Sequence, residues 1–206
     1  MEDEIKPEQP AVDSKRKVLL EIKDILTGLA FPFILMLVIS ATIIVYASYA
    51  DDMAVSLIAL IGGEIMIAAS LIIFGRANGS AAYNKTLLNA QKRELGSTDE
   101  RVVCHTGEYE IWKGALIGFI LCVPFILFQI IELCVHNVVT SFCLQYMCGW
   151  AYFPFSYLGT DYQALGFVMI ILPVGAHTLG YHLGKLKRLK AKEYEETNAK
   201  NKRRRK

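Results

Sequence analysis

The chain has 206 residues, 53% of them hydrophobic, with a net charge of +2 and a mean hydropathy of +0.34. Those averages fit an apolar soluble domain as well as a membrane protein, but the layout excludes the first. Apolar residues form long blocks almost free of charge, while charged residues crowd into the two ends and one middle segment. Backbone groups in hydrocarbon must bond within their own segment, so blocks of this length read as helices.

Residues 1–14 are acidic and contain Pro7 and Pro10, the pattern of a disordered tail. Ser14 reads as a cap for an amphipathic lead-in over residues 15–25, lying on the membrane surface. The first apolar run starts after residue 24, later and longer than a cleaved leader, so it is expected to stay as the first span.

The expected fold is an all-α integral membrane protein with four transmembrane helices. A tail over 1–24 precedes one domain, 25–184, and a basic tail over 185–206 follows it. The spans are predicted at about 25–49, 53–75, 111–135 and 164–184. Pro32, Pro124 and Pro173 fall inside three of them and predict kinks, because proline removes a helix hydrogen bond.

Spans one and two are joined by residues 50–52, a tight hairpin. Residues 76–110 form a polar loop with a short surface helix from Ser80 to Leu95, stopped by Gly96. Arg76, Asn78, Gly79, Tyr83 and Lys85 cluster where span two exits; they suit a partner or a lipid phosphate, or form a solvated linker. Residues 136–163 form an outer loop with no Lys or Arg and eight aromatics, suited to the headgroup level or to dipping back into the membrane. A fifth span over 138–158 is the alternative.

All 22 Lys and Arg lie in residues 1–24, in 76–110, at Lys113 or in the tail from Lys185. None lies in 50–52 or 136–163. The positive-inside bias therefore predicts both termini in the cytoplasm and a plasma-membrane, multi-pass protein.

Glu64 is the sharpest single clue. It is the one charged residue of span two, twelve residues from both Asp52 and Arg76. At 1.5 Å per residue that is roughly 18 Å from either polar boundary, near the midplane. A charged group there costs about 2.5–3.5 kcal/mol on insertion scales, so it needs a reason. Either it bonds to a neighbouring helix and holds the bundle, or it is a proton or cation site. By the same rise, His177 in span four lies within about a turn of its depth, so it is available to pair with Glu64; the commoner role of a lone membrane histidine is a hydrogen bond to a neighbouring helix.

Small-residue stripes recur at helical spacing: Gly114, Gly118 and Cys122 in span three, and Ala176, Gly180 and Gly184 in span four. They predict close packing of those two helices. Of five cysteines, Cys143 and Cys148 share the outer loop and would form a disulfide in an oxidising compartment; the alternative is that they are small apolar residues. Glu132, near the end of span three, is expected to be hydrated.

The tail from Lys185 has eleven basic and three acidic residues, which suits anionic lipid headgroups rather than nucleic acid. No GxSxG, HExxH, P-loop or dinucleotide glycine pattern is present, and no cofactor or metal is expected. The expected role is a non-catalytic accessory or partner-binding membrane subunit, in a protein complex or a homo-oligomer. The alternative is a small proton- or cation-linked transporter or channel-like protein using Glu64 and His177. A membrane enzyme acting on lipid is a third reading.

Overall fold

The computed structural model describes residues 14–49, 53–135, 137–156 and 160–204. The acidic tail up to residue 13 and the 50–52 hairpin lie outside them. Among the described residues every regular element is helical: α1 (Ser14–Tyr49), α2 (Met53–Glu94), α3 (Glu100–Val103), α4 (Ile111–Val135), α5 (Val138–Ser156), a 3-10 segment (Thr160–Ile170) and α6 (Ile171–Arg204).

Four of these helical stretches are long and apolar enough to cross a membrane; they lie in α1, in α2, in α4 and over Ala164–Asn198. Their outward faces carry exposed Phe31, Ile58, Ile65, Ile73, Phe119 and Ile130, large apolar residues that water would not tolerate in such numbers. Three hydroxyls within the spans are satisfied locally. Thr42 donates to Val38 O at 2.9 Å, Ser70 to Ile67 O at 2.8 Å and Thr178 to Val174 O at 2.6 Å.

The core lies between α1, α2, α4 and α5, with Ile39, Ile43, Ile67, Leu71, Leu121, Phe125, Leu144 and Trp150 fully buried or nearly so. Each of α1 and α4 continues through its proline, Pro32 and Pro124. Pro173 sits in the first turn of α6, where a missing N–H costs least. The predicted break there takes the form of a change in winding, from 3-10 to α at Ile171.

The observed elements correct the predicted ones in several places. The lead-in is not a separate surface helix; it is the first three turns of α1. The surface helix over Ser80–Leu95 is the continuation of span two, since α2 runs unbroken for 42 residues. The aromatic segment is not a loop. Asn137 Oδ1 accepts from Val139 N at 3.0 Å and caps α5, a 19-residue helix bent at Cys148.

Helix α5 packs against α1 and α4, placing Leu144, Trp150 and Ala151 in the core. Cys143 and Cys148 are free thiols on this helix, so the predicted disulfide is not formed. Glu132 is buried rather than hydrated. It accepts hydrogen bonds from Thr140 and Ser141 in the first turn of α5, the latter at 2.6 Å, and so latches α5 to the end of α4.

The closest helix crossing was also misplaced by the sequence pattern. Gly114 and Gly118 do face α6, against the Tyr181 ring and the Pro173–Val174 backbone. Gly180 and Gly184, however, face α2. A Cβ on Gly180 would strike the Ile72 backbone, and one on Gly184 would strike Arg76 and Ser80. Gly75 and Gly79 complete the crossing from the other side, against the backbone of His177, Gly180 and Tyr181. Two GxxxG pairs thus bring α2 and α6 into parallel backbone contact. Ser80 Oγ donates to Gly184 O at 3.0 Å and closes it. Ala176 is half-buried beside the core.

Candidate functional site at the charged end of the bundle

The polar side chains of the fold converge where α1, α2, α4 and α6 leave their apolar stretches. The chain enters this region with local reasons for its shape. Gly96 and Gly107 take φ of 73° and 72°, where a side chain would be strained, and His105 takes 56° beside them. The turns let residues 95–110 fold back onto α2.

Glu108 fastens that return. Its side chain is 11% exposed. Oε1 accepts from Arg93 Nη1 at 2.6 Å and from Asn89 Nδ2 at 3.2 Å, while Oε2 lies 3.2 Å from His105 Nδ1. Arg93 also donates to Val102 O at 3.1 Å. Burial pushes the Glu108 carboxyl up, but the hydrogen bonds from Arg93, His105 and Asn89 and the charge of Arg93 outweigh it and hold the carboxyl below its ordinary value.

Lys113 ties the same end to α1. It lies two residues inside α4 and is only 5% exposed. Its ammonium reaches Glu21 Oε1 at 3.0 Å, Glu108 O at 3.1 Å and Glu110 Oε2 at 3.6 Å. Gly107 N also donates to Glu21 Oε1, at 3.2 Å. Lys85 and Asp24 form a second tie between α2 and α1, at 3.1 Å. Between these ties is a cavity of about 250 Å³, bordered by Glu21, Asp24, Lys85, Lys113, Gly28 and Asn78 among others.

Aromatic rings close the α6 side. Tyr109 stacks on Tyr181 at 5.0 Å, and its hydroxyl lies 3.2 Å from His182 Nδ1. The Lys185 ammonium lies 4.8 Å over the Tyr109 ring, within cation–π range. Burial raises the Tyr109 phenol above its ordinary value, so it serves this contact as a neutral donor and acceptor.

The Glu64–His177 pair is not formed; His177 instead hydrogen-bonds to neighbouring helices, the other role expected of it. His177 is fully buried. Its Nδ1 lies 2.9 Å from Gly114 O and its Nε2 3.5 Å from Asn78 Nδ2. Both ring nitrogens are therefore engaged at the charged end. Asn78 is fourteen residues past Glu64, about 21 Å along α2. The depth argument failed because Arg76 does not mark the end of span two, which continues as the same helix.

Glu64 lies in the middle of the apolar part of α2, half-buried, with both carboxylate oxygens buried and unpartnered among the described residues. Ser40 Oγ in α1 is likewise buried without a partner. The two fall in one slice of the bundle, since Gly63 packs against Ile39 and Ile43, which bracket Ser40 in α1.

The sequence reading missed Glu21, Glu108, Arg93 and Lys113. One signal was present: Lys113 stands just inside a 25-residue apolar run and needed a partner as much as Glu64 did. Of the cluster flagged at the exit of span two, Asn78 and Lys85 border the cavity, and Gly79 serves the helix crossing. No protein-family model matches the chain, and comparison with curated proteins and with solved structures found no match.

Proposed function

We propose that this protein is a non-catalytic, multi-pass subunit of the plasma membrane. In this reading both termini lie in the cytoplasm, and the locked charged end presents helical arms to a protein partner. The observation that carries the reading is the shape of α6. Beyond Gly184 it continues as helix to Arg204. Those twenty residues span about 30 Å, and residues 186–198 are largely exposed.

An arm of that length is useful only if its base is rigid. The ties through Glu108, Lys113 and the two GxxxG pairs supply that rigidity. The basic residues of the arm also suit anionic headgroups beside the partner. Gentle extraction from native membranes, followed by mass and composition of the complex, tests this. A stoichiometric second protein is the expected result. A monomer or pure homo-oligomer overturns it.

One observation favours a second reading, a small proton- or cation-linked transporter. Glu64 holds a buried carboxyl with no partner among the described residues, as an intramembrane exchange site would. Proton- or cation-driven flux in liposomes that Glu64→Gln abolishes is the result that supports transport. Absence of flux under every gradient removes it.

A further inference from the structure

A second crevice, of about 530 Å³, lies along the α2–α6 crossing, with Ile73, Arg76, Ala77 and Asn84 on one wall and Lys187 and Arg188 on the other. The crossing itself makes this grouping. Gly184 of α6 sits against the backbone of Arg76 and Ser80. Lys187 and Arg188 follow about one turn later on α6, and Asn84 one turn after Ser80 on α2. The two helices run parallel, so these side chains arrive at one level.

Charge separates this crevice from the cavity between α1 and α2. There Lys85 and Lys113 meet Asp24 and Glu21. Here Arg76, Lys187 and Arg188 stand together with no carboxylate in the walls, and none has an ionic partner among the described residues. Neither helix supplies one nearby. α2 has no Asp or Glu between Glu64 and Glu94, and α6 has none before Glu193. All three cations are exposed. Backbone contact therefore gathers three like charges whose mutual repulsion an anion would relieve.

The other end of the crevice identifies the anion's carrier. Ile73, 65% exposed, and Ala77 line it where α2 leaves its apolar stretch. The walls thus pass from apolar to cationic over about two turns, the order of an acyl chain and its phosphate. A free phosphate would use the cationic end alone.

We propose that this crevice binds one anionic phospholipid. Arg76, Lys187 and Arg188 hold its phosphate, Asn84 offers a further N–H donor, and an acyl chain lies along Ile73 and Ala77. The inference rests on the reading of the chain as a multi-pass membrane protein. It goes beyond the general attraction of a basic arm for anionic headgroups, because it names a saturable site fixed by the helix crossing.

Native mass spectrometry of the delipidated full-length protein in detergent tests it. The probes are phosphatidylglycerol, phosphatidylcholine with the same acyl chains, and glycerol 3-phosphate. One phosphatidylglycerol per chain is expected to bind first, with phosphatidylcholine about tenfold weaker because its ammonium offsets the phosphate. Arg76→Gln and Arg188→Gln should each weaken that first binding about fivefold. Only the backbone of Arg76 meets Gly184, so its exchange leaves the crossing intact, and Arg188 lies outside the crossing altogether.

Lys200→Gln and Lys202→Gln remove the same charge from the far part of α6 and should leave the first binding unchanged. Equal weakening by all four variants would show diffuse attraction and overturn the site. Displacement of the lipid by millimolar glycerol 3-phosphate would show that the cations take a free phosphate, and would overturn the lipid as occupant. A stoichiometric protein partner in native extracts, together with no lipid preference here, would remove the site and leave the subunit reading standing; selective lipid binding without a partner would do the reverse.

Discussion

The charged end and the middle of the bundle treat their polar groups in opposite ways. At the end, Glu108 takes three donors, Lys113 reaches three acceptors, and His177 uses both ring nitrogens. In the middle, the Glu64 carboxylate oxygens and Ser40 Oγ are buried and have no partner among the described residues. Dense polar residues on converging helices find one another. An isolated one, however conspicuous in sequence, does not acquire a structural role from its cost alone. The end is thus where polar chemistry holds the fold together, and the middle is held by packing.

The largest expected effect breaks the packing that brings the end together. Gly79→Leu drives a side chain into the Tyr181 backbone. Overpacking of side chains costs about 1–3 kcal/mol, and a collision with backbone should cost more. Gly62→Leu, on the same helix with nothing within 4 Å, is the control and should leave the thermal melt in detergent unchanged. Equal melts for the two variants would remove the α2–α6 crossing from the account.

Next comes Glu108→Ala. It strands Arg93, Asn89 and His105, and the loss of a largely buried partner should cost about 3 kcal/mol. The same carboxylate sets a pH dependence. Its folded value lies below its unfolded one. Its contribution is therefore full above the ordinary carboxylate range, about 4.3, and disappears as pH falls through the lower folded value. The wild-type melting temperature should fall toward that of Glu108→Gln below about pH 4. A constant gap between the two from pH 7 to pH 3 would contradict the assignment.

A smaller effect is expected at the other end of α4. Glu132→Ala releases the Thr140 and Ser141 hydroxyls and should cost about 1–2 kcal/mol. The loss should appear as faster hydrogen exchange in the first turns of α5. Exchange confined to wild-type rates would show that the latch does not hold that helix.

What was legible in the sequence follows the same division. The four spans could be read because a long uncharged block has one solution in a membrane. The inner register could not, because a reading that ends span two at Gly75, before Arg76, separates Gly75 from Gly79 and hides the pair. The helix ignores that boundary and runs on through residues of adequate helix propensity. The error in the Glu64–His177 depth has the same origin. Helix α5 was legible only as the alternative span over 138–158, because the segment carries Gly149 and Pro154, residues that suit a break; Gly149 instead lets α5 approach the Ser40 carbonyl. Lys113 and Glu108 were visible as charges, but their joining depends on the Gly107 turn, which only the folded chain displays.

The most direct test of the contrast between end and middle is the thermal melt of Glu64→Leu beside that of Glu108→Ala, in one detergent at neutral pH. With no partner to lose and a buried carboxyl removed, Glu64→Leu should melt at or above the wild-type temperature. Glu108→Ala should melt well below it. A Glu64→Leu protein that melts several degrees lower would show that Glu64 has a structural partner, and the division drawn here would fail.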